Sequence, residues 1–305
     1  MESSAGKMAF NQQYETITFN TAREFLDALR RSNPRWLSDN ASLTPWVFRG
    51  QGDSTWGLTP SAWRPSIWKD NHFQAVLETI TDEIIDDVIK VNTGLLGSSE
   101  LDRKQIRQQV AQRRFEFLQV QAFTSLADEL GLHVPGGFIS HKISREVVSN
   151  DSHCSSPHPA YALAQHHGMA TRLLDWTQNP VNAAYFAAEN PNDPAGAVAV
   201  WALNGLALFE SEWTEYRVPR SQIGFLHSQA GLFTYHRSAD GDFVLHGDWP
   251  KLEDICTPDT LKKLVLPSCE AKDLRRLLFA EGVSKSHLMP TFDNIRDTLN
   301  SMWQE

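Results

Sequence analysis

Cysteine is scarce in this chain. Three residues among 305, Cys154, Cys256 and Cys269, are odd in number and far apart, which excludes a disulfide framework and makes a reducing, cytoplasmic setting the expectation. Positive charge is short as well: 28 Lys and Arg face 37 Asp and Glu, a net charge of -9. A broad basic surface gripping a phosphate backbone is therefore excluded, and any nucleic-acid contact has to be a local cleft. No run of eighteen apolar residues occurs, and the opening MESSAGKMAFNQQ lacks the apolar core of an export signal. The expectation is a protein neither exported by that route nor spanning a membrane. GxSxG, GxxxxGK[ST] and GxGxxG are all missing, so serine-hydrolase, P-loop and dinucleotide-fold readings have no anchor. His153, Cys154, His158, His166 and His167 lie close together, but their spacing fits no zinc finger and no HExxH helix, so no metal is expected.

What is abundant is core-forming material. Hydrophobic residues make up 41% of the chain, with ten Trp and sixteen Phe, enough for a substantial interior. Residues 1–13 read as a flexible tail and 14–305 as one domain, since no composition shift marks a boundary. Tyr14 to Phe19 alternates as a strand, and Asn20 is placed to cap a helix carrying Phe25, Leu26 and Leu29. Trp46 to Arg49 reads as a short buried strand ending at Gly50. Apolar residues from Phe73 to Val91 predict one amphipathic helix with an acidic outer face. A second long helix is expected over about Leu101–Leu130, its apolar set Phe117, Leu118, Val120, Phe123, Leu126 and Leu130, with Gly131 at its end. These two helices form a block, about 73–131, following the first core strand.

Beyond the block, 144–159 reads as a polar loop, Pro159 to His167 as a helix stopped by Gly168, and Asn179-Pro180 as a helix start. Strands are expected at Gly196–Leu203, Gly231–His236 and Lys263–Pro267, and helices from Ser268 to about Glu281 and over Phe292–Trp303. Such short, separated strands predict an α+β fold with a mixed sheet rather than a doubly wound one.

Three stretches concentrate the groups that could carry chemistry. In Phe48-Arg49-Gly50-Gln51 an arginine ends a buried strand before a glycine that can admit a ligand, a pattern suited to clamping an anion, with Trp56, Trp63 and Arg64 forming a wall. An arginine held by a structural carboxylate such as Asp175 explains the same residues. In QHHGMATRLLDWTQNPVNAAYFA, His166 and His167 titrate near neutrality, and Thr171, Arg172, Asp175 and Thr177 add hydroxyls, a cation and a carboxylate at element ends. Capping by Asp175 and Thr177, and an Arg172–Asp175 pair, are the structural alternatives. In SQAGLFTYH, Gln229 can hydrogen-bond a sugar or amide and Phe233 can stack on a ring, or both can serve the strand they precede.

Taken in order, VFRGQGDSTWGLTPSAWRP, ALAQHHGMATRLLDWTQNPVNAAYFA, FLHSQAGLFTYH and LVLPSCEAKDLRRLLFAEGVSKSHLMPTFDNI resemble the successive motifs of the FRG domain family, named for its Phe-Arg-Gly signature. The resemblance runs over roughly Thr18–Leu299, departing mildly at Met169-Ala170 and His227-Ser228. A more distant similarity is to ADP-ribosyltransferases of the Arg-Ser-Glu type, and it implies their split sheet, with NAD as co-substrate. On it Arg49 holds an NAD phosphate or ribose with Phe48, Gly50 and Gln51 beside it. Thr171 or Thr177 braces the nicotinamide pocket with Arg172 and Phe233, and His166 or His167 acts as base on the acceptor. Gln229 falls where the ribose-steadying acid belongs, and an amide stabilises an oxocarbenium-like charge less well than a carboxylate. Asp175, Glu212 and Glu215 are the alternative acids. The implied function is an NAD-consuming bacterial toxin or phage-defence effector, its acceptor RNA, single-stranded nucleic acid or a protein, with an antitoxin or other neutralising protein as partner. The rival reading is a non-catalytic module that binds a nucleotide or peptide and recruits a partner.

Overall fold

The structure, a computed structural model, describes residues 13–37, 46–96, 102–137, 139, 157–221 and 223–303. In chain order its elements are β1 (Glu15–Thr18), α1 (Ala22–Leu29), β2 (Trp46–Gln51), α2 (Asn71–Glu78), α3 (Asp82–Leu96), α4 (Arg103–Glu129), α5 (Pro159–His166), β3 (Leu174–Thr177) and α6 (Pro180–Glu189). There follow β4 (Ala197–Asn204), β5 (Trp213–Tyr216), α7 (Gly224–Ser228), β6 (Gly231–His236), α8 (Ala239–His246), β7 (Leu261–Pro267), α9 (Ala271–Ala280), α10 (Lys285–Leu288) and α11 (Phe292–Trp303). The polar loop expected over 144–159 lies almost wholly outside the described residues. Among those residues no helix is long and apolar enough to cross a membrane.

The chain packs as two compact units, each drawn from three stretches. The first takes the described residues up to Thr55, Asn179–Phe209 and Leu252–Ser284. Its strands run in the order β1-β7-β4-β2, parallel for β1 with β7 and antiparallel elsewhere, which makes the fold mixed as the short strands predict. Helix α6 lies on β2, and Gly50 explains how closely: a Cβ there would stand 2.0 Å from the Ala183 carbonyl oxygen and 2.6 Å from the Ala187 nitrogen. Ala183, Ala184, Ala187 and Ala188, all fully buried, give α6 the thin side needed for that approach. The space beside Gly50 is therefore filled by a helix backbone, which corrects the expectation that this glycine admits a ligand.

The second unit takes Trp56–Gln178, Glu210–Lys251 and the described residues from Lys285 on. Its strands β3, β6 and β5 form an antiparallel set, with Leu174 opposite Thr234 and Trp213 opposite His236. The helical block follows β2, but its first helix is two. Thr79 caps α2, its hydroxyl donating to the Val76 carbonyl at 2.7 Å, Ile80 turns inward, and the Arg107 guanidinium of α4 donates to the Ile80 carbonyl at 2.6 Å. Helix α4 ends as expected, Gly131 adopting φ 70° while the Leu132 amide reaches back to the Ala127 carbonyl.

The buried side of α4 departs from its expected apolar set. Val120 is buried, but Leu126 and Leu130 are 56% and 67% exposed, while Gln109, Gln112, Glu116 and Thr124 point inward beside Ile106, Val110 and Phe115. Polar partners elsewhere in the unit make that orientation favourable: the Gln112 amide donates to the Ala62 carbonyl at 2.8 Å and Glu116 meets an arginine. Trp63, expected to form a ligand wall, stacks on Trp249 at 4.9 Å in an aromatic cluster with Phe243 and Trp213. Two further shifts are small. Helix α1 is capped by Thr21 rather than Asn20, its hydroxyl accepting from the Glu24 amide at 3.3 Å, and a short 3-10 turn at Ser268–Glu270 precedes α9.

Candidate functional site

The residues singled out from sequence divide between the units. Arg49 stands on β2 in the first, half-buried and opposite Trp201 of β4. Its neighbours are structural: Phe48 meets Trp36 edge-on at 5.1 Å, and the Gln51 side-chain oxygen accepts from the Trp201 indole at 2.8 Å. The remaining candidates lie in the second unit. Thr171 is fully buried, its hydroxyl donating to the Gln165 side chain and accepting from the Leu173 amide. Thr177 donates to the Gln229 carbonyl at 2.6 Å, and the Gln229 amide donates to the Leu288 carbonyl at 3.4 Å. Phe233 packs in a core cluster with Leu173, Tyr216 and Leu226.

Histidines 166 and 167 end α5. His166 stacks on Phe225 with ring centroids 3.4 Å apart, and His167 lies exposed against Phe123. Burial, reinforced by the neighbouring His167, pushes the His166 pKa down to about 4, against the exposed Asp175 carboxylate, which favours the charged ring. His166 is thus a neutral imidazole at physiological pH, able to accept a proton but a weak base.

Arg172 is the hub of a buried charge network that spacing did not reveal. Its carboxylate partners are Glu116 of α4 and Asp240 of α8. The guanidinium donates to both Glu116 oxygens, at 2.9 and 3.4 Å, and to both Asp240 oxygens, at 3.1 and 3.3 Å. Arg113 adds a contact to Asp240 at 3.3 Å, and the Gln112 amide one to Glu116 at 3.2 Å. Burial pushes the Glu116 carboxyl above the ordinary glutamate range, with Arg172 pulling the other way. Burial also works against the charge of Arg172, but Asp240 and Glu116 hold its pKa well above the usual value. Two arginines and two carboxylates balance, and each fork matches a carboxylate geometry.

This network borders a cavity of about 720 Å³ within the second unit. Arg113, Glu116 and Arg172 line it together with Tyr161 of α5, Tyr216 of β5, Tyr235 and His236 of β6, and the exposed Arg217, Arg237 and Glu215. Burial raises the Tyr216 pKa to about 12, so its phenol stays a hydrogen-bond donor. His236 is 7% exposed; its Nε2 stands 3.5 Å from Asp242, its Nδ1 has no hydrogen-bond partner among the described residues, and burial lowers its pKa. The volume suits a small molecule, and the lining combines planar donors for an oxyanion with phenol rings for an aromatic group.

Of these groups Arg172 and, as an alternative acid, Glu215 were singled out from sequence. Glu116 left one visible trace, an acid between Phe115 and Phe117 on an amphipathic helix.

Residues 99–196 match the family model of the FRG domain. That stretch is similar to the FRG domain. The match takes in α4, α5, β3 and α6, and with them Arg113, Glu116, Tyr161 and Arg172 of the cavity. Arg49 and Gln229 fall outside that stretch. No curated protein and no solved structure matches the chain. Within the matched stretch, Arg113, Glu116 and Arg172 are the charged residues that line the cavity.

Proposed function

We propose that this protein binds a nucleotide-class ligand, an aromatic base with phosphoryl groups, in the cavity of its second unit. The observation that carries the proposal is the lining of that cavity: arginines from α4 and from the strand ends beside Tyr161, Tyr216 and Tyr235, in a volume of about 720 Å³. Guanidinium forks favour phosphate oxygens, and phenol rings offer a face to a base. Titration calorimetry of the full chain with NAD, ADP-ribose and ATP tests it. Saturable binding of at least one is expected, weakened about tenfold to a hundredfold by Arg217→Met or Arg113→Met, each the loss of a charge-assisted contact worth about 1.5–3 kcal/mol. Absence of saturable binding to all three sinks the proposal.

A second reading, turnover of NAD by transfer of its ADP-ribose, is favoured by one placement. Of the acids Asp175, Glu212 and Glu215, Glu215 lines the cavity, and it can supply the carboxylate that Gln229 does not. The ADP-ribosyltransferase-like type of fold, an RNA or protein acceptor, a role as toxin or defence effector and a neutralising partner all belong to this reading. Its assay is nicotinamide release from NAD. The wild type releases it and Glu215→Gln does not, whereas binding without release under every acceptor condition leaves the protein a nucleotide-binding module.

A further inference from the structure

Tyr216 of β5 and Tyr235 of β6 bring to the cavity wall a pair of hydroxyls that the fold does not use. Tyr216 stands opposite Phe233, and Tyr235 is two residues along β6 from Phe233, so register puts both phenols on one face of the sheet as diagonal neighbours. Their rings meet edge-on, with centroids 6.1 Å apart and planes at 85°, and the Tyr216 ring also leans on Phe233 at 6.3 Å. Packing among Leu173, Val218 and Leu226 fixes both rings.

A buried phenol ordinarily finds a partner. Tyr185 of α6 does so: at 7% exposure its hydroxyl donates to the Glu189 carboxylate at 3.5 Å. Tyr216 and Tyr235 are as deeply placed, 8% and 6% exposed, yet neither hydroxyl has a hydrogen-bond partner among the described residues. Nor are their oxygens sealed, as the unpartnered indole nitrogens of Trp63, Trp68 and Trp249 in the same unit are. The space they reach is the cavity that both residues line. Burial, with Tyr235 alongside, raises the Tyr216 pKa to about 12, so at neutral pH its hydroxyl keeps its proton and both donates and accepts.

We infer that Tyr216 and Tyr235 hold the ribose of the ligand, their hydroxyls meeting its 2′,3′-diol; this rests on the nucleotide reading of the cavity and names the part of the nucleotide these residues select. Conjugation keeps a phenol O–H in the plane of its ring, so rings at 85° direct their donors in different planes. A flat base edge asks for coplanar partners. Adjacent sugar hydroxyls rotate freely, and each donates and accepts as a phenol does. A phosphoryl group, which only accepts, is matched better by the guanidinium forks of Arg217 and Arg237 elsewhere on the wall. The phosphates therefore lie with the arginines and the sugar with the tyrosines.

Titration calorimetry of the full chain with ATP, NAD and ADP-ribose, each beside its counterpart lacking 2′-hydroxyls, tests this. In wild type each ribonucleotide that binds outbinds its deoxy counterpart about tenfold. In Tyr216→Phe/Tyr235→Phe that ratio falls to about one. The hydroxyls serve no protein partner, so the double variant melts at or above the wild-type temperature. Equal wild-type affinity for the ribose and deoxy forms overturns the inference and leaves nucleotide binding standing. A double variant that weakens both forms equally, keeping their ratio, places the hydroxyls elsewhere on the ligand and also overturns it. A melting temperature well below that of wild type assigns the hydroxyls to the fold and overturns it too. Absence of binding by all three nucleotides removes the reading on which the inference rests, and the inference with it.

Discussion

Replacing Arg172 by Met keeps the bulk of the side chain and removes its four hydrogen bonds to Glu116 and Asp240. Both acids are buried, 1% and 4% exposed, so water does not already share their charge in the folded state. Glu116 then keeps the Gln112 amide at 3.2 Å and Asp240 keeps Arg113 at 3.3 Å, which does not replace a shared guanidinium. Breaking a buried ion pair from one side costs about 3–5 kcal/mol, and at neutral pH that is the expected loss. The surface pair Arg103–Asp86, with both side chains about half exposed, is the control: Asp86→Asn leaves the urea midpoint close to that of wild type.

The same substitution has a pH signature. Without the arginine, only the Gln112 amide opposes the burial that raises the Glu116 pKa, so the folded variant takes up a proton at a pH where the unfolded chain does not. A raised carboxyl pKa adds stability below the unfolded value and loses it as pH rises through the folded one. The deficit of Arg172→Met relative to wild type therefore shrinks as pH is lowered from neutral toward the ordinary glutamate range. Urea denaturation at neutral and mildly acid pH measures both quantities. A neutral-pH cost below about 1 kcal/mol, or a deficit that grows in acid, would refute the assignment of Arg172 as the brace of two buried charges.

Gly50→Ala drives a methyl group into the α6 backbone with no flexible side chain to yield, so a loss of about 3 kcal/mol or failure to fold is expected. A urea midpoint like that of wild type would show that α6 does not rest on this glycine. His166 has a depressed pKa of about 4, so the unfolded chain binds its proton first and stability falls as pH drops from about 6.5. Because the ring stays partly in water the loss is about 1–2 kcal/mol by the lower end of that window, and His166→Gln flattens it in a melt-versus-pH series. Thr177→Val leaves the part-buried Gln229 carbonyl without its 2.6 Å donor and costs about 1 kcal/mol in the same urea assay, with no effect on ligand affinity in the cavity.

Elements were legible where two local signals agree. β6 combines a leading glycine with alternating bulk, α6 starts at a proline in the first turn, and α4 and α5 stop at glycines 131 and 168, both with positive φ. The break between α2 and α3 had no such signal. Its turn is stabilised by Arg107 from α4, a group 27 residues beyond the carbonyl it holds, so hydrophobic period alone runs straight through.

The candidate site failed differently. A dense polar motif has one composition whether it closes a fold or opens a pocket, and here Thr171, Thr177 and Gln51 satisfy backbone groups, side chains and an indole. The deciding property is which atoms face each group, and that is set by pairs distant in the chain. Glu116 illustrates the point. It lies one turn from the buried Val120, where a lone acid is costly, and it is Arg172, 56 residues later, with Asp240 beside it, that gives the buried carboxylate its partner. Lys263 is the converse case. A strand reading of KLVLP treats it as the polar end of a buried run, yet its ladder partner is Trp201, and beyond Trp201 stands Arg49. Register, which no local pattern encodes, puts Arg49, Trp201 and Lys263 into one row of charge, indole and charge.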